Sequence, residues 1–228
     1  MHSIPFIDIH THQSSYEKDT VTVQNIFPGE GFAAFSGRNF YSIGLHPWHL
    51  STKNENNEAL QMVEEALEFD HVIFVGEAGL DKMAKTNFAE QQRVFEAQAF
   101  MAEEFQYPLI IHCVKAYNEV LELRKRMKPA LPWILHGYNG STEFTQQLLD
   151  AGFLFSFGTI LFNENAKALD SYRELPLDKV FFETDESEEH VEKIYNRGAK
   201  LKGIAPDQLK EAIWKNFNRI ERSLVGRV

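Results

Sequence analysis

Cysteine is almost absent from this chain. Cys113 is the single one among 228 residues, which excludes an internal disulfide framework and gives no reason to expect a disulfide-linked partner. No apolar run approaches the roughly 20 residues that a membrane-spanning helix needs. The N-terminus carries no basic stretch ahead of an apolar segment, so no signal peptide is expected. A reducing, cytoplasmic setting is the expectation, with no membrane partner. Positive charge is also scarce: 23 Lys and Arg face 33 Asp and Glu, a formal net charge of −10. That is the reverse of the basic surface with which a non-specific nucleic-acid binder gathers phosphates. It does not exclude a nucleic-acid substrate, because bound metal ions supply positive charge locally. Low-complexity segments, internal repeats and Pro/Gly/Ser-rich linkers are missing too, so residues 1–228 read as a single domain.

What is present is strand–helix alternation. Eight short runs rich in Val, Ile and Phe occupy residues 4–10, 20–27, 40–46, 71–77, 108–112, 133–136, 153–157 and 180–185. Most are continuously apolar, as strands buried on both faces are. Helical patterns lie at 57–69, 88–105, 117–127, 142–151 and 166–175, and a last one at 206–224. Ser141 and Ser187 are candidate helix N-caps with acidic residues close behind. Alternation of this kind implies a parallel sheet, and eight strands imply a (β/α)8 TIM-type barrel. The chain is short for that fold, so trimmed connections are expected, and no helix is expected between the first two strands.

The ends of the strand runs carry chemistry. His10 with His12, His46, Glu77, His112, His136 and Asp185 stand at or beside the ends of six of them. Enzymes of the barrel class build their sites at the C-terminal ends of strands, and burying ionisable groups unpaired is costly. Alternation puts His10 and His12 on one face; it does the same for Ile73, Val75 and Glu77, and for Phe181, Glu183 and Asp185. Each piece has a plain structural reading: a core histidine for His112, a lysine partner for Glu77, a helix cap for Asp185. Four histidines and two carboxylates at matching positions read together as a metal site. Imidazole and carboxylate ligands suit Zn²⁺ or Mn²⁺ and also admit Mg²⁺. Asp81 is expected either to orient a ligating histidine or to cap a local turn. Asp8 is expected below His10 in a supporting role, and Cys113 is expected to be buried and inert.

The chain resembles the TatD-related metal-dependent deoxyribonucleases of the amidohydrolase superfamily. The matching stretches include Phe6-Ile7-Asp8-Ile9-His10-Thr11-His12, Gly44-Leu45-His46-Pro47-Trp48-His49, Gly76-Glu77-Ala78-Gly79-Leu80-Asp81, Ile110-Ile111-His112, His136-Gly137-Tyr138-Asn139-Gly140-Ser141 and Phe182-Glu183-Thr184-Asp185. The resemblance runs from about residue 4 to residue 221 and implies roles. His10, His12 and Asp185 would hold one divalent metal, and His112 and His136 a second, with Glu77 bridging the two. Asp185 and Glu77 would be catalytic, and His46 would line the substrate side near a phosphate. The implied activity is hydrolysis of phosphodiester bonds in DNA or at nucleotide ends by a water activated between two ions, Zn, Mn or Mg. The alternatives are hydrolysis of a small ester, lactone or amide by the same centre, or a weakly active metal-binding paralogue.

Departures from the family pattern concentrate on the substrate rim. Where the family carries an arginine after the histidine of the fifth strand, this chain has Cys113-Val114-Lys115. Lys115 offers a point charge to a phosphate but no bidentate contact. After Asp185, Glu186-Ser187-Glu188-Glu189 leads almost directly into a helix, so the family's long loop is missing, and Arg197-Gly198 belongs to that helix rather than to a loop remnant. The acidic run would repel a long DNA strand.

Overall fold

The computed structural model describes residues 4–13, 19–30 and 39–225, with side chains to residue 220. Its strands are β1 (Phe6–Thr11), β2 (Thr20–Ile26), β3 (Asn39–Ile43), β4 (Val72–Asp81), β5 (Leu109–Val114), β6 (Trp133–Leu135), β7 (Leu154–Phe157) and β8 (Val180–Phe182). They lie in chain order in one eight-stranded sheet, parallel in every described register. The ring closes through a parallel bridge between Thr11 and Asp185. Helices α1 (Lys53–Ala66), α2 (Phe88–Glu104), α3 (Tyr117–Met127), α4 (Thr142–Asp150) and α5 (Ala168–Glu174) separate the strands from β3 onward, and α6 (Val191–Lys202) and α7 (Pro206–Val225) follow β8. This is the (β/α)8 barrel expected from the alternation. The connection between β1 and β2, expected to lack a helix, falls on residues 14–18, outside the described residues. No described helix is long and apolar enough to cross a membrane.

The chain's contacts fall into two compact units, one from the described parts of 1–24, 36–39 and 136–228, the other from 25–35 and 40–135. In the second unit, α1 starts at Lys53, four residues before the helical pattern suggested. The reason is a capping box: Thr52 accepts from the Glu55 backbone N, and Glu55 reaches back to the Thr52 N, so the first turn forms before the apolar stripe begins. Helix α2 buries Gln91, Val94, Phe95, Gln98, Ala99 and Ala102, a single face at helical spacing. The two glutamines on that face are fully paired. The Gln98 amide exchanges two hydrogen bonds with the Leu45 backbone, 2.7 and 3.1 Å, and Gln91 does the same with Asp81, 2.8 and 3.0 Å. Gly79 is required where β4 meets β5, since a Cβ there would lie 1.9 Å from the His112 carbonyl oxygen.

In the first unit the core is aromatic. Phe155, Phe157, Phe181, Phe182, Tyr172 and Tyr195 are buried. The Tyr195 hydroxyl accepts from Ile7 N and donates to Ile7 O, 3.1 and 3.0 Å, pinning β1 to α6. Gly198 lies on α6, as expected, because a Cβ there would come within 2.6 Å of the Tyr172 hydroxyl and 2.7 Å of the Phe182 ring. Ser187 is not the N-cap of α6. That position is His190, and the Ser187 hydroxyl instead accepts from Glu189 N in the preceding turn. Ser141 occupies the N-cap of α4 without a side-chain capping bond.

Alternation carried less of the geometry than expected. The β4–β5 pairing shifts register between Val75 and Ala78, so a strict two-residue period does not connect Val75 to Glu77. Strand β8 ends at Phe182, and β3 ends three residues before His46, so Asp185 and His46 are placed by loops.

Candidate metal centre

Within the first unit, His10 is fully buried near the end of β1 and His12 lies just beyond it. Their rings meet edge to face with centroids 5.1 Å apart. Both direct Nε2 at one oxygen: each nitrogen is 3.6 Å from Asp185 Oδ1. Asp185 reaches that position through its backbone. Its N donates to His10 O and its O accepts from His12 N, both at 3.0 Å. The residue sits in the left-handed region, φ 53°, a conformation that Asp tolerates better than most residues and that clusters at functional sites. The same link is braced from below. Asp8 accepts from Thr184 N at 3.0 Å, and the Thr184 hydroxyl lies 2.6 Å from Asp8 Oδ2 and 2.8 Å from Thr11 Oγ1. Burial raises the Asp8 carboxyl to about 7 against the lowering effect of the Thr184 hydrogen bonds. Asp8 therefore supports the segment that carries Asp185.

His136 follows β6 in the chain and belongs to the first unit. Its ring lies 4.3 Å from that of His10, and one donor atom each from His10, His136 and Asp185 fall within 4.8 Å of one another. Glu183, 1% exposed, accepts from Gly137 N at 2.5 Å and lies 3.5 Å from His136 Nδ1. A cavity of about 590 Å³ opens beside Asp185, lined by Gly137, Thr159, Asn163, Glu183 and Glu186 among others.

The second unit holds its own cluster. Glu77, 3% exposed, has Oε1 2.8 Å from His112 Nδ1 and 3.3 Å from His46 Nε2. Its backbone N donates to Asn25 Oδ1 at 2.8 Å, an oxygen that also accepts from the Ser42 hydroxyl. His46 Nδ1 accepts from Trp48 N at 3.1 Å, so the ring proton belongs on Nε2 and is donated to Glu77. Burial lowers the His46 pKa, with Glu77 pulling the other way, which keeps the ring neutral near pH 7. On the far side of His112, Nε2 is 3.5 Å from Asp81 Oδ2. Burial opposes the Asp81 charge, but hydrogen bonds from Trp48, Met83 N and His112 outweigh it and hold the carboxyl below its ordinary pKa. Asp81 caps the turn at Met83 through Oδ1, one of the two roles expected, while Oδ2 faces the His112 ring.

Both clusters fit a divalent cation by the chemistry of their donors. Each brings imidazole nitrogens and a carboxylate within 4.8 Å of one another, the set that Zn²⁺ and Mn²⁺ accept, with a further carboxylate behind a ring to fix its orientation.

The family model described as TatD related DNase matches residues 30–222. The chain belongs to the TatD family. The TatD match begins after His10-Thr11-His12, whose two rings converge on Asp185, a residue inside the matched region. An uncharacterized metal-dependent hydrolase from Haemophilus influenzae is 26% identical over 225 residues, covering 90% of this chain and 83% of that protein. The human 3'-5' RNA nuclease TATDN2 is 31% identical over 150 residues, 63% of this chain and 19% of that protein. Among solved structures, the TatD homologue YjjV from Escherichia coli superposes with a TM-score of 0.82 at 21% identity, covering 94% of this chain and 97% of that one. The chain is therefore a TatD-family metal-dependent hydrolase on the (β/α)8 barrel.

Lys115 is exposed in a left-handed turn after β5, φ 55°, and forms no ion pair among the described residues. Cys113 is buried, with its thiol pKa raised chiefly by burial, as expected of an inert side chain. Sequence reading gave no role to Glu183, Gln98, Asn25 or Trp48. Glu183 could have been noticed as a carboxylate at the end of an apolar strand. The other three gain their meaning only from partners 17 to 53 positions away in the chain.

Proposed function

We propose that this TatD-family protein is a phosphodiesterase acting at nucleic-acid or nucleotide ends. The proposed ligands are His10, His12, Asp185, His112, His136 and Glu77. The observation that carries the reading is the convergence of His10 and His12 on Asp185 Oδ1, each at 3.6 Å. Two divalent ions, when bound, would acidify the attacking water and neutralise phosphoryl oxygens. Asp185 would accept a proton from the attacking water, since it lies beside the candidate ligands and at the edge of an open cavity. Attack at phosphorus breaks the P–O ester bond and leaves a phosphomonoester and an alcohol. Glu77, which would bridge the two ions, is held by the His46 Nε2 donor and by its own backbone N, which donates to Asn25 Oδ1; Asp81 lies behind the His112 ring, and Glu183 lies 3.5 Å from His136 Nδ1. Lys115 is assigned the substrate phosphate, while His46, whose two ring nitrogens engage Glu77 and Trp48 N, lines the substrate side without a free donor. Its partners are short phosphoester or nucleic-acid substrates, since Glu186, Glu188 and Glu189 are exposed and repel a long polyanion. The relationship to the RNA nuclease TATDN2 supports a nucleic-acid substrate, and the lone buried cysteine suits a cytoplasmic location.

The test is metal analysis paired with hydrolysis. Purified protein loaded with Mn²⁺, Mg²⁺ or Zn²⁺ should bind two ions per chain and release nucleotides from single-stranded oligonucleotides. The variant with His10 and His12 both changed to Ala should bind fewer ions and be inactive. Metal content equal to wild type in that variant would overturn the ligand assignment. Turnover of a carboxylic ester with no turnover of any phosphodiester would overturn the substrate class.

A further inference from the structure

Trp48 is a large aromatic residue left 56% exposed, yet it is anchored at both ends. Its backbone N is held by His46 Nδ1 at 3.1 Å, and its indole Nε1 donates to the buried Asp81 at 2.6 Å. It stands in a single 3-10 turn, Pro47–His49, whose first residue is a proline with fixed φ. The indole ring lies 5.0 Å from the His46 ring and 5.8 Å from the His112 ring, steeply inclined to both at 89° and 75°. The indole packs close to perpendicular to both rings, and more than half of the residue meets solvent.

An indole exposed to this extent forgoes part of the free energy of burial, and that surface stays available to a partner. The indole hydrogen bond to Asp81 already restrains the side-chain freedom that a stacking partner would otherwise have to freeze. The surroundings are aromatic rather than basic. Phe27 lies 4.4 Å from the exposed His49 ring, and both rings neighbour His46. Lys82, which follows Asp81 in the chain, is committed to Glu119 at 2.5 Å. With little positive charge available, a flat ring stacked on Trp48 is the recognition that this surface offers.

Building on the phosphodiesterase reading above, we propose that Trp48 is the stacking platform for a nucleobase of the nucleotide whose phosphoester is cleaved. It selects substrates by the base rather than by phosphate contacts along a strand.

The Mn²⁺-loaded enzyme would be assayed on a dinucleotide and on the same diester with abasic sugars. Wild type should prefer the base-bearing diester in kcat/KM. Trp48→Phe, which keeps a ring, should retain most of that preference. Trp48→Ala should reduce it about tenfold or more, chiefly through KM. Equal losses on both diesters would assign Trp48 to holding Asp81 against His112 and overturn the platform; an unchanged preference would overturn it too. A separate readout needs no turnover. The fluorescence of 2-aminopurine ribonucleotide should be quenched on binding wild type and Trp48→Phe but not Trp48→Ala, and quenching retained in Trp48→Ala overturns the proposal. If quenching follows the expected pattern while neither diester is cleaved, the platform stands and the phosphodiesterase reading falls.

Discussion

The two candidate metal clusters use the same residue types but are built in different ways. In the first unit the carboxylate that both His10 and His12 face, Asp185, is placed by backbone. Its N and O bond to His10 O and His12 N across the closing bridge of the barrel, and its left-handed φ turns Oδ1 toward both rings. In the second unit, Glu77 and His112 are placed by side chains. Asn25 and His46 hold Glu77, Asp81 lies behind His112, and two glutamines of α2 grip Leu45 and Asp81. A backbone-built cluster should tolerate side-chain changes around it, whereas a side-chain network should fail one link at a time.

The largest effect should come from the carboxylates themselves. Asp185→Asn should lower turnover on the order of a thousandfold, with an unfolding midpoint close to wild type because its backbone bonds survive. Glu77→Gln should lose comparable activity and also destabilise the fold, since its Oε1 serves two rings. Turnover of oligonucleotides and thermal unfolding, measured on both variants, check this. Equal destabilisation would erase the contrast between the clusters.

Next come the carboxylates behind the rings. Asp81→Asn should weaken metal affinity or activity about 10- to 100-fold, because its single amide oxygen can accept from Met83 N or face Trp48 and His112, but not both. Glu183→Gln keeps an acceptor for Gly137 N and should cost less. Metal titration of the apo proteins ranks the two, and a larger loss in Glu183→Gln would reverse the assignment of the fragile network to the second unit.

The backbone clamps sharpen the comparison further. Tyr195→Phe leaves Ile7 N and O without their partner, and Gln98→Leu does the same to Leu45; each should cost about 1–3 kcal/mol in urea unfolding. Only Gln98→Leu should also raise KM, because Leu45 leads directly into His46 and Trp48. A KM change of the same size in Tyr195→Phe would count against the contrast.

The smallest effect lies at the start of α1. Glu55, held at about 2 by hydrogen bonds from Ser51 and Thr52, has an ordinary value of 4.5. A carboxyl depressed on folding contributes stability above its unfolded pKa and loses it as pH falls from about 4.5 to about 2. Glu55→Gln should flatten that part of the stability curve and leave activity near pH 7 unchanged, which acid titration of unfolding reads directly.

Much of this protein was legible in its residues. Eight apolar runs separated by helical patterns determine a parallel (β/α)8 sheet, because each strand buried on both faces must be continuously apolar and most parallel crossovers run through a helix. His10, His12, Glu77, His112, His136 and Asp185 stood out in the same way as candidate ligands, since ionisable groups beside strand ends are costly to bury unpaired. Tertiary structure alone decided how they are held. The register shift in β4 and the early end of β8 break the two-residue period that the sequence suggested, so neither Glu77 nor Asp185 is aimed by alternation. Asn25 reaching Glu77 across 52 positions, Gln98 reaching Leu45 across 53 and Trp48 reaching Asp81 across 33 are invisible to any local pattern. A hydrogen bond depends on where two atoms meet in space, and chain spacing says little about that once strands and helices have packed.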